Sequence, residues 1–300
     1  MTPVPSLARL EELRRGLCPS NSIVEASRIL LCLQARRLEQ SVPEAVAGLH
    51  PGPVHDARVA GRRLRAGATL FRSMFPRTWK RAERAGRAVT SGFRQARDMD
   101  IRAARLRRMA IEARDRPAGL LAMVRKLQAE TSALRAGAVR AAGPPPRAIP
   151  APLMAELWRP RASRVHGAER EIGVRLRDLG QRARLLIPVA AVEGHCGVQH
   201  RLRIRCKAVR YSLEMMDWRL GPEAAGRLGT LRRVQDILGD MHDIDLFIAY
   251  VREGPGAGSG RPSGPAREML AGLAGERRRH FQRFLDIRGK LDSALGPVSL

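Results

Sequence analysis

Three features of the 300-residue sequence predict an all-α fold. Long stretches are dominated by Ala, Leu, Arg, Glu and Met, which are good helix formers. No stretch shows the alternation of β-branched and polar residues that is typical of strands. The chain has only 6 Phe, 3 Trp and 2 Tyr, too few for an aromatic-rich β-sandwich or a base-stacking sheet.

The expected helices follow one another along most of the chain. The helices of the N-terminal half are expected at Ile23–Gln40, Val54–Phe75, Thr78–Gln95, Met99–Arg114 and Gly119–Val139. Those of the C-terminal half are expected at Leu153–Leu186, Gly197–Leu220, Pro222–Leu238, Ile244–Arg252 and Ala266–Leu291. Residues 141–152 (AAGPPPRAIPAP) are expected to be extended, because successive prolines forbid helix. Residues 254–265 (GPGAGSGRPSGP) are expected to form a mobile loop.

Two motifs recur in the chain with a common offset of 145 positions. A histidine followed by three basic residues occurs as His55, Arg58, Arg62, Arg65 and again as His200, Arg203, Lys207, Arg210. A pair of aspartates two positions apart occurs as Asp98, Asp100 and again as Asp243, Asp245. Two separated motifs with one offset predict an internal duplication. We expect one domain over 20–290, with half-repeats at 20–140 and 153–291 joined by the linker 141–152.

Each basic set forms a stripe along one face of a helix, and we call these sets the first and second basic stripes. At 100° per residue the first stripe spans an arc of about 80°. Apolar residues lie on the opposite side, namely Ala57, Ala60, Leu64, Ala68, Phe71 and Phe75. The second stripe is likewise opposed by Leu202, Val209, Leu213 and Met216. Ordinary surface helices place acids among their bases, so such stripes favour an anion-binding role.

The charge balance agrees with this interpretation. The chain has 55 Lys and Arg against 29 Asp and Glu, a formal net charge of +26. Such a charge predicts a polyanionic partner, either polyphosphate, nucleic acid or an anionic membrane. Arginine offers a planar fork that matches phosphate, lysine a point charge and histidine an N–H donor.

The four aspartates have two interpretations. At a junction between a loop and a helix, one aspartate of each pair can cap the helix and the other can orient the arginines of a stripe. Alternatively, Asp98, Asp100, Asp243 and Asp245 could hold a divalent cation that accompanies a phosphate chain. We favour the structural role and expect no metal site and no cofactor.

These motifs resemble the CHAD family, the conserved histidine α-helical domain. The residues concerned are HDARVAGRRLR at 55–65 and RDMDI at 97–101, then HRLRIRCKAVRY at 200–211 and LGDMHDIDL at 238–246. The resemblance implies two pseudo-symmetric helical bundles around a basic central channel that binds inorganic polyphosphate without catalysis. It also implies a location at polyphosphate granules, with granule-associated proteins as partners.

The resemblance assigns the basic ligands to particular positions. They fall on His55, Arg58, Arg62, Arg63, Arg65, His200, Arg203, Lys207 and Arg210. Arg63 lies off the first stripe, and Ala208 stands at its counterpart in the second half, so the halves need not bind equally. The first half also departs from the family pattern, because Phe93-Arg94 replaces the usual Leu-Gly and adds a charge.

Three other functions are weaker alternatives. Nucleic acid would also satisfy the charge, but no zinc-finger, helix-turn-helix or base-stacking signature is present. A metal-dependent phosphohydrolase could be built from His200, His242, Asp243 and Asp286. However, the counterpart of His242 in the first half is Arg97, so that half has no such site. Zinc binding by His195, Cys196, His200 and Cys206 lacks the usual ligand spacing.

The remaining expectations concern location. The longest apolar run, 185–192, is far shorter than the ~20 residues of a membrane-spanning helix, so no membrane insertion is expected. The N-terminal residues show no apolar core of a secretory signal. The four cysteines form no Cys-x-x-Cys pair, which favours reduced thiols in the cytoplasm.

Overall fold

The computed structural model describes residues 3–47, 51–112, 118–141, 151–159, 167–253 and 264–298. Within these ranges the secondary structure is α-helical and includes no strand, which confirms the predicted fold class. The first six helices are α1 (Leu7–Arg15), α2 (Ile23–Ala47), α3 (Pro51–Leu70), α4 (Trp79–Gly92), α5 (Arg94–Glu112) and α6 (Ala118–Ala141). The next six are α7 (Ala151–Trp158), α8 (Ala168–Arg184), α9 (Ile187–Ala190), α10 (Cys196–Glu214), α11 (Asp217–Glu253) and α12 (Gly264–Ala294).

Two clusters of buried apolar side chains hold the helices together. The larger cluster combines residues between Leu10 and Ala96 with residues between Ala138 and Leu295. The smaller cluster lies where α5, α6, α11 and α12 meet, and it includes Leu106, Val124 and Ile244. Among the described residues, each cluster therefore draws side chains from both halves of the chain.

The apolar faces expected from helical periodicity are buried. Those opposite the first stripe, from Ala57 to Phe75, are at most 3% exposed, and those opposite the second stripe are at most 4% exposed. Of the apolar pairs that share the offset of 145, three are buried in both halves: Leu64 and Val209, Val89 and Val234, Phe93 and Leu238. The fourth pair, Val59 and Ile204, differs, since Val59 is partly exposed and Ile204 is half exposed. The duplication itself stays a prediction.

Helices α3 and α4 pack unusually closely at a pair of glycines. A Cβ added to Gly86 would lie 2.5 Å from the carbonyl oxygen of Gly61 and 2.7 Å from Cγ of Arg65. Only a glycine fits such an approach, since real Cβ atoms do not come within 3.0 Å of backbone. The contact fixes the position of the first stripe relative to α4.

The predicted helix Leu153–Leu186 is wrong as a single element. Helix α7 ends at Trp158, and α8 begins only after Gly167, whose φ of 72° is left-handed. The sequence between them contains Pro160, which lacks the amide proton that a continuous helix needs.

The C-terminal helices also differ from expectation. Helix α10 ends at Glu214, whereas the prediction continued it to Leu220. The predicted break between Leu238 and Ile244 is absent, because α11 continues to Glu253. The break predicted at residue 221, between Leu220 and Pro222, is confirmed, because Gly221 has a φ of 61° and a ψ of −152°. Gly239 thus lies inside a helix, where packing of its neighbours outweighs a propensity cost of about 1 kcal/mol.

The remaining differences from the prediction concern two non-helical segments and two short helices. Most of the predicted linker 141–152 and of the predicted loop 254–265 lies outside the described residues. Helices α1 and α9 were not predicted. Among the described helices, none is both long and apolar enough to cross a membrane.

Candidate functional site

The two basic stripes lie on neighbouring helices. Helices α3 and α10 contact each other, and each buries the apolar face opposite its stripe. Burial, followed by the charges of Arg203 and Arg62, lowers the pKa of Lys207 to about 6. Since Arg62 belongs to α3 and Lys207 to α10, the two stripes come within electrostatic range of each other. We call Arg62, His200, Arg203 and Lys207 the cationic cluster.

The cationic cluster is poor in compensating partners. Nδ1 of His200 and Nε of Arg203 are buried without a hydrogen-bond partner among the described residues. No carboxylate of the described residues forms an ion pair with Arg62, Arg203 or Lys207. Asp243 is near enough to oppose the depression of the pKa of Lys207, but burial raises its own pKa. Within the described residues, the positive charge of the cluster is therefore largely uncompensated.

Two other predicted ligands, Arg58 and Arg65, are bound within the protein itself. Arg58 is 8% exposed, and its Nη1 donates to the carbonyl oxygen of Thr90. Nε of Arg65 donates to Glu83 at 3.2 Å. Their charges or donors are thus partly used inside the fold.

A single buried carboxylate connects Arg63 and Arg210. Oε2 of Glu214 accepts from Nε of Arg63 at 3.0 Å, and Oε1 accepts from Nη1 of Arg210 at 2.8 Å. The Glu214 side chain is only 9% exposed. This ion pair joins α3 to the C-terminal end of α10, and Arg210 also stacks over the ring of Tyr211.

The predicted histidines occupy different surroundings. His55 is exposed on α3, and partial burial, then the charge of Arg97, lowers its pKa. The ring of His200 lies 3.9 Å from the ring of His242, centroid to centroid. Burial, then His200 and Arg203, lowers the pKa of His242 to about 4. Both rings of the pair are therefore neutral near pH 7 until an anion approaches.

Arg94, Arg97 and His242 lie near the stripes but were missing from the predicted ligands. The charge of Arg97 helps to lower the pKa of His55 and of Arg58, and the charge of Arg94 helps to lower the pKa of His200 and of His242. Both arginines stand in the first turn of α5, which brings them beside the stripes. The sequence did contain a signal, because His242 occupies the position of Arg97 at the offset of 145.

The capping role predicted for the four aspartates is wrong. Asp98 and Asp100 lie inside α5, and Asp243 and Asp245 lie inside α11. Asp100 is paired with Nε of Arg135 at 2.6 Å, and Asp245 with Nε of Arg277 at 2.5 Å. These aspartates orient arginines of α6 and α12, and those arginines do not belong to the basic stripes.

Asp98 and Asp243 face a small pocket between α5 and α11. Arg102 and Arg105 also line this pocket, and their guanidinium groups oppose the binding of a cation. No group of three or more His, Cys, Asp or Glu side chains within the described ranges could hold a metal ion. The zinc alternative (His195, Cys196, His200 and Cys206) and the phosphohydrolase alternative (His200, His242, Asp243 and Asp286) therefore form no such group among the described residues.

Asp286, the aspartate of the phosphohydrolase alternative, forms a hydrogen bond within its own helix. It is exposed on α12, where it accepts from Nε2 of Gln282 at 3.1 Å. His200 and His242 are instead surrounded by Arg203, Lys207 and Arg94. Positive neighbours disfavour a bound divalent cation and favour a phosphate group.

Comparison with known proteins agrees with the all-α fold. The crystal structure of the CHAD domain from the plant Ricinus communis matches this chain with a TM-score of 0.63 at 20% identity, over 92% of this chain and 93% of that chain. At this identity the likeness shows the fold alone. Curated proteins gave no match. A family model described as CHAD domain matches residues 29–252, about three quarters of the sequence, and the chain therefore belongs to the CHAD domain family.

Proposed function

We propose that this protein binds inorganic polyphosphate without catalysis. The observation that carries the proposal is the cationic cluster, in which Arg62, Arg203 and Lys207 lie together with no carboxylate partner among the described residues. Like charges held at such range destabilise the free protein, and a bound polyanion relieves them. Membership of a family associated with polyphosphate binding supports the same ligand.

Each member of the cluster has a role that its chemistry suits. Arg62 and Arg203 present planar donor pairs to phosphate oxygens, and Lys207 contributes a compact charge. His200 has a buried Nδ1 without a partner, and with its neighbour His242 it can take up a proton as an anion approaches. His55 and Arg97 offer a further basic surface along α3 and α5, so that a long chain can contact several points.

The ion-paired arginines contribute differently. Arg63 and Arg210 share Glu214, and Arg65 is bound to Glu83. We propose that they attract the ligand over distance and align it, while the cationic cluster supplies the direct contacts. Arg58 shares the first stripe with Arg62, but its Nη1 donates to Thr90 inside the fold.

The ligand experiment is a competition. Long-chain polyphosphate competes against duplex DNA for the purified protein at ~150 mM salt, where exposed charges are screened beyond ~8 Å. We expect polyphosphate to bind more tightly per phosphate than DNA. Equal affinities would favour a general polyanion-binding protein and overturn the proposal.

A pair of triple variants, each of which lacks three basic side chains, tests the site. The site variant is Arg62/Arg203/Lys207→Gln, and the control is Arg201/Arg205/Arg233→Gln, whose side chains are exposed. We expect the site variant to lose at least tenfold in affinity and the control less than threefold. Similar losses in both variants would show that net charge alone governs binding.

Two finer parts of the proposal have their own tests. Absence of catalysis predicts that no orthophosphate is released from polyphosphate, with or without Mn²⁺ or Mg²⁺. A cytoplasmic location at polyphosphate granules, with granule proteins as partners, predicts that a fluorescent fusion of the full chain colocalises with granules and disperses when the site variant is used.

A further inference from the structure

In the C-terminal half, Arg203 rests against a glycine of α11. A Cβ added at Gly239 would lie 3.5 Å from Nε and 3.7 Å from Nη2 of Arg203. The guanidinium group therefore packs on bare helix backbone at this point. A long side chain at position 239 would compete with Arg203 for this space.

The N-terminal half has the opposite arrangement. Position 94, which corresponds to Gly239 at the offset of 145, is an arginine. Arg58, which corresponds to Arg203, is turned into the protein and donates from Nη1 to the carbonyl oxygen of Thr90 on α4. Burial, followed by the charge of Arg62, lowers the pKa of Arg58 to about 10. Arg58 is consequently committed to the packing of α3 against α4.

Arg94 is open to solvent and close to the cationic cluster. Its side chain is 75% exposed, and its Nε lies 4.0 Å from Oδ2 of Asp98, at the limit of an ion pair. It stands in the first turn of α5, and its charge reaches His200 and His242 of the other half. An exposed cation at this place can swing toward a ligand without breaking a buried contact.

We propose that Arg94 replaces Arg58 as the phosphate ligand of the N-terminal half. The exchange follows from one substitution between the halves: arginine at 94 in place of glycine at 239. Arg94, Arg62, Arg203 and Lys207 then surround the ligand, and Arg58 acts as a structural residue. The inference rests on the proposed polyphosphate binding and assigns which residues of that site make contact.

The test compares the affinity for long-chain polyphosphate of single variants across a series of salt concentrations. On nucleic acids, a residue that neutralises one phosphate contributes about 0.7–0.9 to the slope of log affinity against log salt, and we expect a similar contribution on polyphosphate. We expect Arg94→Gln to weaken binding about threefold to tenfold and to lower this slope by that amount, as Arg203→Gln does. Arg94→Lys keeps the charge and should keep the slope.

Two further variants complete the design. Arg205→Gln removes an exposed charge from the outer face of α10 and should change affinity less than twofold. Arg58→Gln should lower Tm and reduce affinity less than Arg94→Gln does, because its main contact is with Thr90. The inference is overturned if Arg94→Gln behaves like Arg205→Gln, or if Arg58→Gln causes the larger loss of slope. Failure of the unaltered protein to bind polyphosphate would instead overturn the proposed function.

Discussion

Replacement of Lys207 by methionine should make the free protein more stable and the bound complex weaker. The unfolded chain holds the Lys207 proton up to about pH 10.5, whereas the folded protein releases it above a pKa of about 6. Each pH unit below 10.5 adds about 1.4 kcal/mol to the free-energy cost of folding with Lys207 deprotonated. At pH 7 this cost reaches about 5 kcal/mol for a side chain that is fully shielded from water. Lys207 is partly open to solvent, which reduces the effect.

We therefore expect Lys207→Met to raise the free energy of unfolding by about 1–3 kcal/mol and Tm by about 2–6 °C. Methionine keeps the length of the apolar stem, so packing changes little. The assay is thermal and urea unfolding of both proteins between pH 6 and 9.5, with Lys290→Met on an exposed part of α12 as control. Polyphosphate affinity of the same variant should fall at least threefold.

The pH dependence gives the sign of the effect. Between pH 6 and 10.5 the unfolded state binds more protons at Lys207 than the folded state, so the contribution of this group to stability rises with pH. The stability gap between variant and parent must then narrow steadily from pH 7 to 9.5. A gap that stays constant over this range, or a lower Tm for the variant, would refute the reasoning.

Three further predictions follow from the same geometry. Glu214→Gln removes the carboxylate that Arg63 and Arg210 share, so we expect stability to fall by about 1–3 kcal/mol in urea unfolding while polyphosphate affinity at low salt rises; unchanged stability would contradict this role. Gly86→Ala places a Cβ against the backbone of Gly61, and calorimetry should show that the free energy of unfolding falls by about 1–3 kcal/mol. The control Gly92→Ala, where the space is open, should change the free energy of unfolding little. Polyphosphate affinity should increase from pH 8 to pH 6, because a bound anion raises the lowered pKa values of His200, His242 and Lys207; calorimetry in buffers of different ionisation enthalpy should detect proton uptake, and its absence would contradict the assignment.

The parts of the fold that depend on local periodicity could be predicted from the sequence. The buried faces of α3 and α10 follow from the spacing of residues such as Leu64 and Leu202, since a helix turns by 100° per residue whatever it packs against. The convergence of both stripes could be anticipated only from the repeated motif and the family resemblance. Helix ends were harder, because Gly239 and Pro43 lie within helices that tertiary packing stabilises.

Which basic residues form contacts within the protein, and which do not, could not be predicted from the sequence. Arg58 and Arg62 are both members of one stripe, yet the contact of α3 with α4 gives Arg58 an internal acceptor on Thr90. Glu214 lies four residues after Arg210, and its pairing with Arg63 depends on a separation of 151 residues along the chain. Such contacts are set by which helices meet, and that information is not contained in the spacing of residues within one helix.

The shared cores limit how a long polymer can reach and leave the protein. Both apolar clusters contain side chains from before and after the proline-rich segment 141–152, so hinge opening between the halves would expose buried apolar surface. Entry by such an opening is therefore unfavourable, in contrast to proteins that close two lobes around a ligand. A phosphate chain would therefore have to bind to a preformed surface. Its release would depend on the stepwise dissociation of chain segments and on exchange with ions in solution.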